Sequence, residues 1–248
     1  MEKQATFRFY EELNDFLPAG KKKVEFVHSF KGNPSIKDCI ESMGVPHVEV
    51  DLILVNGNSV DFNYILQDHD RVSVYPVFET LEMSGVTHLR AKPLRYSTFI
   101  LDVHLGKLAR YLRMLGFDTM YQNDNDDNEI IRISLDEHRI ILTRDIGLLK
   151  VKSVTHAYFV RDQHPKAQLA EVLNHFDLYK AIQPFVRCIK CNGLLKRVDK
   201  EEIIQHLEPL TIQFFNEFSM CTNCHSVFWK GSHYESMQYY IKTIMDSI

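Results

Sequence analysis

Two sets of side chains in this sequence have the types and spacing that do chemistry. The first is sulfur: Cys188-x-x-Cys191 in CIKCNGLLKRV and Cys221-x-x-Cys224 in CTNCHSVFWKG, separated by 29 residues. Each pair fits a tight knuckle whose backbone N–H groups support two thiolates, and two knuckles close a tetrahedral Cys₄ zinc site. Four protein ligands leave no open position, so the expected role of zinc is structural; His206 and His225 stand nearby as bystanders. The second set is oxygen: Asp102, then Asp124, Asp126, Asp127 and Glu129 in the run NDNDDNE, then Asp145.

Each acid follows a stretch that reads as a β-strand, and in parallel sheets functional groups gather beyond the carboxyl ends of the strands. Any of them alone would serve as a helix N-cap. Brought to one edge, the carboxylates would repel and raise one another's pKa unless a cation were present. A hard divalent ion such as Mg²⁺ or Mn²⁺ prefers carboxylate and water ligands and relieves that repulsion. Such an ion suits phosphodiester hydrolysis, where water is activated and charge develops on a phosphoryl group. Lys107, Arg110, Arg113 and Arg144 are placed to offset phosphate charge. His104 stands where an aspartyl-phosphate enzyme would place a second acid, which argues against a covalent route.

These side chains are positioned by alternating strand and helix signals. A short strand at 97–101 precedes Asp102, after which Leu105, Leu108, Ala109, Leu112 and Leu115 recur at helical spacing and Gly116 closes the helix. A strand at 119–122 leads into the acidic loop and a helix through Ile130, Ile131 and Ile133; a strand at 139–143 leads to Asp145 and a short helix. A fourth strand, 157–160, precedes a helix over about 165–176. Repeated β-then-α units imply a parallel sheet with helices on its faces. Upstream, strands at 4–10 and 22–28, a helix over 34–43, the strand VDLILV ending in Asn56-Gly57 and a last strand at DRVSVYPVF give the order ββαββ of a β-grasp domain. Cys39, beside Ile36 and Ile40, is expected as a buried thiol. A polar linker is expected at 82–96.

Composition bounds the rest. The 248 residues suffice for two or three small domains, and 45% hydrophobic with 25% charged residues is globular usage. No apolar run reaches membrane-spanning length and the N-terminus lacks a signal-peptide pattern, so a cytoplasmic protein with no membrane partner is expected. That reducing setting favours metal binding over disulfides for the cysteines. Residues 1–90 carry 9 Lys+Arg against 14 Asp+Glu; residues 91–248 carry 20 against 19. The N-terminal part is therefore acidic and suited to a basic protein partner, whereas the C-terminal part has no strong overall pull on nucleic acid.

The segments FILDVHLGKLARYLRMLGFDT, NDDNEIIRIS, RIILTRDIGLL and QLAEVLNHF together resemble the Mut-seven C-terminal RNase family, a branch of the PIN-type nucleases. EVDLILVNGNSVDFNYILQDHDRVSVYPVFE resembles the MoaD/ThiS-like ubiquitin fold, but the free Gly-Gly end of those sulfur carriers is replaced by Phe78-Glu79-Thr80-Leu81, which argues for an interaction module instead. The resemblance implies Asp102, Asp127 and Asp145 as the Mg²⁺ or Mn²⁺ ligands and catalytic residues, with Asp124, Asp126 and Glu129 as secondary candidates. It also implies substrate contacts at Lys107 and Arg113, a zinc ribbon after the nuclease core, and hydrolysis without a protein nucleophile. Arg144, and His233 in FWKGSHY, join the substrate-binding set. The aromatic and basic residues of that segment suit single-stranded RNA or packing of the ribbon.

The resulting expectation is an α/β protein with a β-grasp domain at 1–81, a PIN-like RNase domain at 96–182 and a zinc ribbon with its extension at 183–248. Its expected activity is metal-dependent hydrolysis of RNA. The alternative is a non-catalytic RNA- or ribosome-binding adaptor that uses the β-grasp domain and ribbon.

Overall fold

The computed structural model describes residues 2–76 and 98–246. The expected linker lies outside them. They divide into two compact units, one holding residues 2–76 and 145–159 and the other residues 98–144 and 160–246.

The chain opens in the first unit with β1 (Glu2–Phe9), β2 (Phe26–Lys31), α1 (Ile36–Ser42), β3 (Val50–Val55), β4 (Asn58–Val60) and β5 (Arg71–Pro76). The sheet order is β2-β1-β5-β3-β4, with β1 and β5 parallel and the other pairs antiparallel. This is the β-grasp arrangement. Ser35 caps α1 by accepting from the Asp38 N–H at 3.1 Å. Asn56 and Gly57, both at positive φ, make the tight turn between β3 and β4. Phe7, Phe9, Ile36, Ile40, Ile53 and Leu66 are central to the core. Cys39 is buried among them, and burial pushes its thiol up to about 11.

The second unit begins with β6 (Phe99–Leu101), α2 (Gly106–Met114), β7 (Thr119–Met120), α3 (Asp127–Glu137) and β8 (Ile140–Thr143). The chain then contributes α4 (Ile146–Leu149) and β9 (Ala157–Phe159) to the first unit. It returns to the second with α5 (Pro165–His175), β10 (Leu195–Val198), α6 (Lys200–Ile203), α7 (Pro209–Phe214), β11 (Phe218–Cys221), β12 (Val227–Trp229) and α8 (Ser232–Met245). β6 lies between β7 and β8 and is parallel to both. Phe99, Ile100 and Leu101 are fully buried, as a strand covered on both faces requires. Leu108, Ala109 and Leu112 of α2 and Leu169, Val172 and Leu173 of α5 are likewise buried. Gly116 ends α2 at φ +97°, where an added Cβ would stand 2.2 Å from the Gln183 carbonyl oxygen. β10, β11 and β12 form an antiparallel sheet carrying the second cysteine pair, and α6 and α7 account for the long spacing between the pairs.

Candidate active site and metal centre

Asp102 follows the carboxyl end of β6. It is only 4% exposed and extended in backbone, the conformation of a cap. Its Oδ1 accepts the His104 N–H at 2.8 Å; its Oδ2 accepts the Arg144 N–H at 3.0 Å and the Thr143 hydroxyl. Thr143 and Arg144 stand at the end of the parallel neighbour β8. Three donors on a buried carboxylate compensate its desolvation and fix its orientation. The capping role and a position at the functional edge therefore coexist.

The acidic loop follows β7, on the same edge. Asp126 caps α3, accepting the Glu129 N–H at 2.9 Å. Glu129 is held by Arg132, whose hydrogen bonds and charge keep its carboxyl below the usual range. Asp124 and Asp127 are exposed and have no ion-pair partner among the described residues. Of the loop acids, Asp124 and Asp127, the latter in the first turn of α3, thus remain uncommitted. In the first unit, Asp145 caps α4 and accepts the Gly147 N–H at 2.7 Å.

The basic candidates separate sharply. Lys107 is exposed on α2 and His233 is exposed at the start of α8. One guanidinium nitrogen of Arg144 donates to the carbonyls of Val160, Arg161 and Asp162 at 2.5–2.8 Å, which fixes the 160–162 loop. Arg113, expected at a phosphate, is 2% exposed. Its Nε donates to the Thr119 carbonyl at 2.8 Å, Nη1 to Lys190 at 2.9 Å and Ile189 at 3.5 Å, and Nη2 to Tyr121 at 3.4 Å. Every guanidinium nitrogen is engaged with a carbonyl, so Arg113 positions the first cysteine knuckle against α2. Burial lowers its pKa against the opposing pull of Cys191 and Cys188.

Asp118 and Asn192 complete the same joint. Asp118 binds Arg139 at 2.7 Å and Arg187 at 2.9 Å. Asn192 donates to Asp118 at 2.8 Å and accepts the Thr119 N–H at 2.9 Å. Burial alone would raise the Asp118 pKa, but the hydrogen bonds and charges of these partners hold it below the usual carboxylate value.

The four knuckle sulfurs lie within 4.8 Å of one another. Cys188 and Cys224 are 3.7 Å apart, Cys191 and Cys221 3.4 Å. The Asn223 and Cys224 N–H groups point at the Cys221 sulfur at 3.4 and 3.5 Å, the expected knuckle geometry. Burial pushes Cys188 up to about 12, whereas hydrogen bonding with Ser226 holds Cys224 at about 6. Four soft ligands at this separation can hold a metal ion, and the set fits tetrahedral zinc. Among the described residues this is the one group of three or more Cys, His, Asp or Glu close enough to do so; Asp102 and the loop acids do not form another.

The sequence reading did not resolve α8 or the groove beside it. The groove, of about 780 Å³, is lined by residues of α2, α5, the first knuckle, α7 and its following residue, β12 and α8. Tyr234, Met237, Ile241 and Ile244 recur at helical spacing and were the available signal for α8.

The two units define an α/β protein: a ubiquitin-like domain, and a parallel sheet with flanking helices followed by an antiparallel ribbon whose four clustered cysteines could hold a metal ion. The model of the Mut7-C RNAse domain matches residues 97–241, and that of the Mut7-C ubiquitin domain matches residues 2–82. The chain belongs to the Mut7-C RNAse domain family. No curated protein and no solved structure matches it. No helix among the described residues is long and apolar enough to cross a membrane.

Proposed function

We propose that the chain is a cytoplasmic, metal-dependent ribonuclease of PIN type, with its RNase domain at 96–182 between a β-grasp domain at 1–81 and a zinc ribbon at 183–248. The observation that carries this reading is the buried, triply hydrogen-bonded Asp102 at the sheet edge of a chain whose family is an RNase family.

Asp102, Asp127 and Asp145 would hold Mg²⁺ or Mn²⁺, since their hard oxygen donors suit such an ion. The ion would supply an activated water and charge stabilisation at the phosphoryl group. In this reading Thr143 and the Arg144 N–H keep Asp102 oriented, while Lys107 offers exposed positive charge to the RNA backbone. Asp124 is the remaining loop acid with no ion-pair partner among the described residues and the natural substitute for Asp127. The ribbon cysteines would hold zinc structurally, and the acidic N-terminal domain would recruit a basic protein partner.

The test is cleavage of single-stranded and structured RNA by the purified zinc-loaded chain with Mn²⁺, Mg²⁺ or neither, beside Asp102→Asn. Metal-dependent cleavage that falls at least a hundredfold in the variant is expected. Unchanged cleavage in Asp102→Asn overturns the assignment, and RNA binding without turnover in any divalent ion makes the protein an RNA-binding adaptor.

A further inference from the structure

The groove beside α8 combines two kinds of group in a way a packing defect does not. Its aromatic walls come from separate elements: Trp229 of β12, Phe215 after α7, Tyr111 of α2, and Tyr234 and Tyr240 of α8. Trp229 stands 6.3 Å from Phe215 in a tilted pair, yet its side chain remains in reach of solvent, the residue being 39% exposed. Gly231 leaves room for the indole: an added Cβ would lie 3.1 Å from its Nε1. Tyr111 and Tyr240 form a second pair with centroids at 5.5 Å.

The charged side chains that line the groove are all basic. Arg110 and Lys166 are exposed, His233 joins them, and no carboxylate lines the groove among the described residues. Lys166 lies over the Tyr240 ring at 4.5 Å, and Arg110 has no ion-pair partner among the described residues. The neighbouring Lys230, by contrast, is committed to Glu217 at 2.6 Å. A concave surface with π-faces and unneutralised cations complements a polyanion whose flat apolar groups are free to leave its own stack. Single-stranded nucleic acid has those properties. A duplex does not, because its bases are paired and stacked within it.

We propose that this groove binds unpaired RNA, with bases stacking on Trp229 and Tyr234 and phosphates meeting Arg110 and Lys166. The identity of the polyanion rests on the ribonuclease reading; the preference for unpaired strands rests on the groove. Arg110 stands about one helical turn along α2 from Gly106, roughly 6 Å, and the turn before Gly106 is capped by Asp102. RNA held here would run along the helix that follows the candidate catalytic acid. The substrate class is then RNA with an unpaired stretch beside the scissile phosphate.

Trp229 is the only tryptophan in the chain, so its emission reports on the groove directly. The zinc-loaded full chain, without added Mg²⁺ or Mn²⁺, is titrated with an unstructured RNA of about 12 nucleotides and with the blunt duplex of the same sequence. Saturable quenching by the single strand and not by the duplex is expected. Arg110→Ala/Lys166→Ala should weaken single-strand binding at least tenfold and reduce the slope of log affinity against log salt by about 1.4. RNA binding seen by anisotropy with silent tryptophan emission, equal quenching by the duplex, or an unaffected double variant overturns the proposal. Cleavage with Mn²⁺ alongside a silent tryptophan would sink the groove and leave the ribonuclease standing. Quenching without cleavage in any divalent ion would do the reverse.

Discussion

Asp102→Asn is the perturbation whose consequence follows most directly from geometry. In the native protein one oxygen accepts the His104 N–H and the other accepts the Arg144 N–H and the Thr143 hydroxyl. An asparagine amide has one acceptor oxygen and one NH₂ group, so either orientation leaves one of the two backbone N–H groups facing a donor. The Thr143 hydroxyl can rotate to accept, but a backbone N–H cannot. An unsatisfied buried donor costs about 1–3 kcal/mol. For a chain of this size that lowers the melting temperature by roughly 2–12 °C. Thr143→Val removes one donor to the same oxygen, and because the two sites share a partner their effects should couple by about 0.5 kcal/mol or more. Thermal melts of wild type, both single variants and the double variant give the stability and the coupling. A shift below 1 °C for Asp102→Asn, or additive single effects, would refute the three-donor account. Cleavage measured at 25 °C, where every variant remains folded, separates the chemistry: loss in Asp102→Asn should far exceed that in Thr143→Val at comparable stability.

Further outcomes follow from the rest of the second unit. Mass spectrometry under native conditions should find one zinc per chain, and a mercurial thiol reagent should release it and red-shift Trp229 emission as the ribbon sheet opens. Arg113→Met should cost about 3 kcal/mol, because one buried and three part-buried carbonyls lose their donor, and should speed zinc loss to a chelator; no change in either rate or stability would remove its positioning role. Asp118 has a depressed folded pKa, so its contribution is present above its unfolded value near 4 and lost as pH falls through the folded value. The stability difference between wild type and Asp118→Asn at neutral pH should therefore shrink in urea melts below about pH 4. Gly116→Ala meets both a positive φ and the Gln183 carbonyl and should cost at least about 3 kcal/mol, against about 1 for Gly32→Ala, which has a positive φ but open space.

What the sequence disclosed depended on how local the determinant was. Periodicity placed α2, α3 and α5, and Asn56-Gly57 placed a turn, because each signal lies within a few residues. Strand β2 was expected at 22–28 and forms at Phe26–Lys31. Lys23 sits at φ +59° and its N–H is taken by the buried Asn14 side chain at 2.6 Å, a contact that KKVEFVH alone does not reveal. The cysteine centre was legible because knuckle spacing is itself the geometry. Arg113 was expected at a phosphate and is instead buried among carbonyls; it lies four residues after the buried Ala109, on the apolar face of α2. Two of its partners, the Ile189 and Lys190 carbonyls, come from a distant segment. The groove was missed for the same reason, since its aromatic residues come from four stretches of chain.

α2 joins the candidate chemistry to the metal centre. Asp102 caps the turn that precedes it, and Gly106 at its start leaves room for the Tyr121 hydroxyl, which donates to the Val103 carbonyl at 3.0 Å. Near its far end Arg113 holds the Lys190 carbonyl between the first two cysteines. Leu108, Ala109 and Leu112 fix the helix on the core between these points, and Arg110 opens onto the groove. A short helix anchored at both ends cannot shift at one without straining the other. A metal ion held at the knuckle would therefore stabilise the helix that supports the Asp102 turn, although none of its cysteine ligands needs to touch RNA. On this argument a metal-loaded ribbon would contribute to the proposed activity through the position of α2, and metal loss should reduce RNA binding at the groove and cleavage together.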